Sequence, residues 1–286
     1  MGNPAKEQEA LSEAPPRAYS HSSSEMIPPH ERPRVAHIDD AQQLVPATAK
    51  LPPFLTQIHS LSLSSLHLGT HNKDKRYHVK QSSKEIVLRD GPTKSDTVLA
   101  QVTSLEQGTA YGKSVIHVPR PHGEEPLSLV MPGDHSNRQP FSLRVGKENR
   151  LEHFEWRQSQ GNEVEEVGQT KWHGYGWKLV RLTADDDVAG RGGRRESRDF
   201  GFTSDGREIV AACAYTNRFW RGPDFSFLGT GLTGTLGEEF EIVAVVTFLR
   251  IMFLQAMRAA QSGAPWWYNK EPHPGLVAEA GPPGNK

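Results

Sequence analysis

Gly237–Gln261 reads GEEFEIVAVVTFLRIMFLQAMRAAQ, and what hides this stretch decides the fold. It holds no proline and no internal glycine, so nothing interrupts a helix over about 238–262. Glu238 and Glu239 open it and Arg258 lies near its end, charges that complement the helix dipole at both termini. Gly263 and Pro265 follow and stop it. At 1.5 Å per residue the helix is about 37 Å long. Apolar side chains cover nearly every side, from Phe240, Val243, Val246, Phe248 and Leu249 to Phe253. A helix that is apolar all round is buried, in a protein core or in a membrane.

A membrane span needs about 20 predominantly apolar residues. Ile242–Met257 is shorter than that and carries Arg250 at its middle, where insertion scales charge about 2.5–3.5 kcal/mol. A membrane-anchored protein that uses the 240–257 helix as a span is therefore the alternative reading. A core made of other helices is disfavoured, because the rest of the chain reads as strands. The remaining solution is a helix enclosed by the sheet itself, inside a barrel of many antiparallel strands.

The strands come in a series. Lys84–Arg89 (KEIVLR) and Thr97–Val102 (TVLAQV) flank Asp90-Gly91 and predict a hairpin. Ser114–Val118 ends at Pro119, and Leu127–Met131 at Pro132-Gly133. Phe141–Val145 alternates apolar and polar, and Leu151–Arg157 places Glu152, Phe154 and Trp156 on one face. Trp177–Leu182 alternates again, Arg207–Tyr215 (REIVAACAY) is continuously apolar, and Phe225–Leu228 is a last short strand. Leu61, Leu63, Leu66 and Leu68 alternate as a half-buried strand would. The expected fold is mainly β, an antiparallel β-barrel enclosing the long hydrophobic C-terminal helix, with Ile209–Tyr215 central.

An antiparallel strand series closed by one long apolar C-terminal helix resembles the tubby C-terminal-like superfamily of tubby-like proteins, LURP-one-related proteins and phospholipid scramblases. The residues that carry the resemblance are the hairpin Glu85–Val102, the strand Phe154–Trp156, the pair Trp177–Leu182 and Ile209–Tyr215, and the helix Glu239–Met257. It covers about 75–262 and rests on architecture. It implies a non-enzymatic binding module for membrane phospholipid headgroups or a protein partner. It assigns no headgroup-contacting or metal-binding position in this chain, since fold alone does not carry function.

Composition bounds the rest. The chain has 286 residues, 33 basic and 34 acidic, with a net charge of −1. That disfavours a globally basic nucleic-acid binder, and no nucleic-acid partner is expected. Residues 1–50 carry Pro15-Pro16, a Ser22–Ser24 run and Pro28-Pro29 with few large apolar groups, a composition expected to stay disordered. Residues 263–286 are a Pro/Gly-rich tail, which leaves 51–262 for the barrel. A single cysteine, Cys213, excludes an intrachain disulfide. No apolar leader follows Met1, and Lys6 stands where a myristoylation motif wants Ser or Thr. A cytoplasmic monomer, peripheral at a membrane, is the expectation.

Motifs with chemistry are few. Gly229-Thr-Gly231-Leu-Thr-Gly234 spells G-x-G-x-x-G between a strand and a helix, the setting of a dinucleotide site. No second parallel strand follows the helix, and Glu238 and Glu239 would repel a pyrophosphate; the glycines read as a chain reversal. Gly108–Ser114 approaches a P-loop, but Gln107 replaces its first glycine and a strand follows. His67 and His71 have H-x3-H spacing without a partner that would complete a zinc motif. Cys213 sits in an apolar strand. No nucleophile elbow, metalloprotease or paired-carboxylate pattern is present, so no enzyme activity, cofactor or metal is expected. Arg191, Arg194, Arg195 and Arg198 form the densest basic cluster and are the candidate anion or lipid contact. Trp172, Tyr175 and Trp177 read as side chains packed on the sheet.

Overall fold

The computed structural model describes residues 50–59, 64–104, 112–120, 124–133, 137–169, 175–182, 199–215 and 222–262. Among the described residues twelve strands form one antiparallel sheet: β1 (Phe54–His59), β2 (Ser65–Gly69), β3 (Tyr77–Gln81), β4 (Glu85–Arg89), β5 (Val98–Ser104), β6 (Ser114–Val118), β7 (Leu127–Met131), β8 (Arg138–Val145), β9 (Arg150–Ser159), β10 (Gly176–Arg181), β11 (Ile209–Ala214) and β12 (Asp224–Phe227). Their order is β7-β6-β5-β4-β3-β2-β1-β12-β11-β10-β9-β8. The sheet curls into a nearly closed barrel, with β7 and β8 its two edges. The long helix, α2 (Glu238–Ser262), runs through it, and a short helix, α1 (Asn162–Gly168), lies outside.

The dimensions explain the pairing of barrel and helix. Twelve strands spaced about 4.8 Å apart and tilted about 40° close at a backbone radius of about 12 Å. A helix with its side chains fills a radius of about 5–6 Å. One layer of inward-facing strand side chains occupies the difference. Every residue from Phe240 to Met252 is buried, whichever way it points, as the all-round apolar pattern requires. Phe253 is only partly buried and packs on the edge of the core, because the last turns emerge from the barrel; Ala256 and Ala260 are exposed.

The helix is keyed to one wall by aromatic rings. Phe240 meets Phe154 at a centroid distance of 5.1 Å, and Phe248 meets Phe225 at 5.2 Å. These two residues lie eight apart, on one side of the helix. Between them Thr247 accepts a hydrogen bond from the Trp156 indole at 2.9 Å, wholly inside the core.

Strand β11 is buried along its whole length. Val210, Ala211 and Cys213 belong to the interior core, whereas Ala212 and Ala214 pack under Val164 and Val167 of α1. Cover on both faces is why this strand reads as an unbroken apolar run. The sequence signal had no place for α1, which offers only two core residues in seven. Two more elements went unread: β1, behind Pro52-Pro53, and β3, whose YHVKQ is short and half polar. The leucine alternation expected over 61–68 is split: β2 begins at Ser65, and 60–63 lie outside the described residues.

Candidate functional site

Among the described residues, the helix and the inward-facing strand side chains fill the core. At the far end of the barrel, the end from which the helix emerges, a recess lined by Ser82, Lys84, Glu85, Ser114, Arg250 and Phe253 has a volume of about 30 Å³. That accommodates a water or two, far short of the ~300–1,000 Å³ of a small-molecule pocket. Arg250 forms its floor and is 2% exposed. Its Nε donates to Ser114 Oγ at 3.0 Å, Nη1 to Gln139 Oε1 at 3.2 Å, and Nη2 to the carbonyls of Pro132 at 2.7 Å and Gly112 at 3.4 Å. Ser114 opens β6, Pro132 follows β7 and Gln139 lies in β8. The charge that argues against a membrane span thus ties the helix to both edges of the sheet, where the barrel is not closed by a strand ladder.

Charges gather at the opposite end, where α2 begins. Glu152, turned inward with Phe154 and Trp156, receives Arg181 through two bonds of 2.5 Å and Arg150 at 3.2 Å. Arg181 also reaches Glu208 at 3.4 Å. These carboxylates hold the Arg181 guanidinium above its ordinary range, against its burial. Glu208 accepts the Thr230 N–H at 2.7 Å and its hydroxyl at 3.0 Å. Arg120 clasps Glu239 at 2.5 and 3.0 Å. Glu241 accepts the backbone N–H groups of Lys50 and Leu51 at 2.8 and 3.0 Å, which docks the chain ahead of β1 on the first helical turn; burial pushes its carboxyl up.

The G-x-G-x-x-G turn is explained by this network. Gly229 has φ +48° and Gly234 φ +68°, and a Cβ on Gly231 would lie 2.2 Å from the Val210 carbonyl oxygen. All three glycines are demanded by backbone geometry. The Thr230 N–H that a phosphate would use is filled by the chain's own Glu208.

Of the basic cluster expected to contact an anion, Arg191, Arg194, Arg195 and Arg198 all lie outside the described residues, as does Trp172. The residues on either side are described. Leu182 and Asp199 stand at the helix-start end, because β10 runs to that end and β11 leaves from it. The Leu182 carbonyl accepts a bond from Arg207, and Arg157, which reaches Glu155 at 2.5 Å, holds Asp205 at 3.2 Å. Arg157 and Arg181 are thus engaged by carboxylates, and Arg207 by the Leu182 carbonyl.

The other singled-out residues have structural roles. Trp177 is core, and Tyr175 lies half-buried with its hydroxyl accepting a bond from Gln158. Burial drives the Cys213 thiol upward, out of the range in which it would ionise. His71 accepts a weak bond from Lys73 N at 3.4 Å and has no part with His67, which faces His78 across β2 and β3. Among the described residues, no three His, Cys, Asp or Glu side chains gather as a metal centre. The engaged carboxylates Glu152 and Glu208 escaped the sequence reading, because their partners come from strands far apart in the chain.

No family model matches the chain, and no curated protein or solved structure does either.

Proposed function

We propose that this chain is a non-enzymatic binding module, of the tubby C-terminal-like kind its strand series and helix resemble, that takes anionic phospholipid headgroups at the helix-start end of the barrel. One observation carries the reading: among the described residues the helix is buried from Phe240 to Met252 and the recess at Arg250 measures only about 30 Å³, which favours a ligand met from outside. Arg191, Arg194, Arg195 and Arg198 belong to the sequence that joins β10 to β11, and the described residues that flank it, Leu182 and Asp199, lie at that end. Each cation near an anionic membrane surface is worth about 1 kcal/mol. Four give about 4 kcal/mol, roughly a thousandfold in affinity. A cytoplasmic, peripheral location accompanies this role.

The competing use of α2 as a membrane span meets a direct obstacle. Its window over Glu238–Arg258 is apolar enough to cross a bilayer, but 78% of it is buried inside the barrel. Spanning would empty the core.

The test is co-sedimentation of the full chain with neutral and with anionic vesicles over a salt series. The chain is expected to stay in solution without detergent, to pellet only with anionic vesicles, and to be released as salt screens the attraction. Replacing the four arginines by Ala should remove most of the binding. A wild-type chain that binds neither vesicle, or a quadruple variant that binds as well as wild type, overturns the proposal.

A further inference from the structure

The register of β2 and β3 sets His67 directly opposite His78. Both rings stand on the outer face of the barrel, because Leu66, Leu68, Tyr77 and Val79 alternate with them and fill the core. Directly opposed residues on one face have Cβ atoms about 4.5–5.5 Å apart. The ring centroids lie 5.4 Å apart at an interplanar angle of 73°. Although it faces outward, His78 is only 3% exposed. The connection from β4 to β5 is tied down beside the pair: Gly91 O accepts the His78 N–H at 2.6 Å, and Pro92 O lies 3.0 Å from His67 Nε2.

Those contacts settle which ring nitrogens are in use. A carbonyl only accepts, so His67 Nε2 carries the proton and its Nδ1 is a bare lone pair. His78 Nε2 pairs with Ser65 Oγ at 2.9 Å. The Nδ1 atoms of both rings are shielded from solvent and have no hydrogen-bond partner. Two neighbouring imidazoles thus each spend Nε2 on an oxygen and leave Nδ1 idle. A metal-bound histidine shows the same division, with the second ring nitrogen bonded to an oxygen that fixes tautomer and orientation.

We propose that His67 and His78 form a two-imidazole site for a divalent ion of the Cu²⁺, Ni²⁺ or Zn²⁺ class, bound through the two Nδ1 atoms. With metal–nitrogen bonds of about 2.0–2.1 Å, two imidazoles at a near-tetrahedral angle have centroids about 5 Å apart, close to the spacing seen here. Imidazole donors suit these three ions over Mg²⁺ or Ca²⁺. The described residues supply no cluster of three or more ligands. With two protein nitrogens, the ion is held less tightly than a four-ligand structural zinc.

The test is calorimetric titration of the full chain with CuCl₂, NiCl₂ and ZnCl₂, together with the electron paramagnetic resonance spectrum of the Cu²⁺ form. A single tightest site is expected, with hyperfine structure from two nitrogens. His67→Gln and His78→Gln should each weaken it at least tenfold, since losing even an outer-shell partner of a ligand costs about 10–100-fold; His71→Gln should leave it intact. His67→Gln keeps the test decisive if the buried His78 variant fails to fold. A wild-type chain without a tightest site, or one whose tightest site survives His67→Gln or falls with His71→Gln, overturns the assignment.

Discussion

Replacing Thr247 by Val removes one oxygen from the middle of the core helix and keeps the side-chain shape. Thr247 and Trp156 are both fully buried. The threonine oxygen accepts the indole N–H at 2.9 Å and donates its own proton to Ala244 O at 2.9 Å. In the variant the Ala244 carbonyl keeps its place in the helical ladder, but the indole N–H has no acceptor and no water. An orphaned buried donor costs about 1–3 kcal/mol. The new methyl recovers at most about 0.8 kcal/mol. With the methyl fully recovered the net loss is about 0.2–2.2 kcal/mol, or up to roughly 9 °C in Tm for a body of this size. Urea denaturation of Thr247→Val, Trp156→Phe and the double variant isolates the pair, because residues in contact show coupling energies of about 0.5–3 kcal/mol. A variant as stable as wild type or more so, or single effects that simply add, would mean the helix is not set in the barrel at this rotation. A helix lying in lipid would tolerate the valine without loss, since lipid tails offer the threonine hydroxyl no partner.

Val246 touches only core, so Val246→Asp places an unpaired carboxylate there. The cost of several kcal/mol is a large share of the ~5–15 kcal/mol that holds a domain together; the variant should be insoluble or unfolded by circular dichroism, and a soluble variant with wild-type melting refutes the enclosed helix. Glu241 supplies a pH test with a definite sign. Burial raises its folded pKa above the unfolded value, so its contribution is fully present below the unfolded pKa and is lost as pH rises through the folded one. Glu241→Gln keeps an acceptor for Lys50 and Leu51 without titrating. Its stability relative to wild type should therefore climb from acid toward neutral pH in parallel denaturation series, and a difference that stays flat across that range contradicts the raised carboxyl.

Much of the architecture was legible because it is written in local patterns. The β4–β5 hairpin shows in Asp90-Gly91 between two apolar runs. The doubly covered strand β11 shows in its unbroken IVAACA, and the enclosed helix in apolar residues on every side. Elements whose formation depends on distant partners were not legible. The β3 strand is half polar and is held by β2 and β4. Helix α1 exists because Ala212 and Ala214 leave space for Val164 and Val167. Arg250 read as an obstacle to burial, and its acceptors on β6, β7 and β8 are gathered only when the barrel curls.

The candidate sites divide in the same way. The arginine cluster at 191–198 is contiguous in the chain and could be picked out by composition. The histidine pair could not, because the visible spacing joined His67 to His71, whereas the sheet register joins it to His78. The sequence by itself determined that a long apolar helix had to be hidden by strands, because periodicity and length are properties of neighbours along the chain. Only the tertiary structure decided which polar groups meet: Trp156 with Thr247, Glu208 with the glycine turn, His67 with His78. Hydrogen bonds and ring contacts act over a few ångströms, and residues tens of positions apart reach that distance only after the fold has formed.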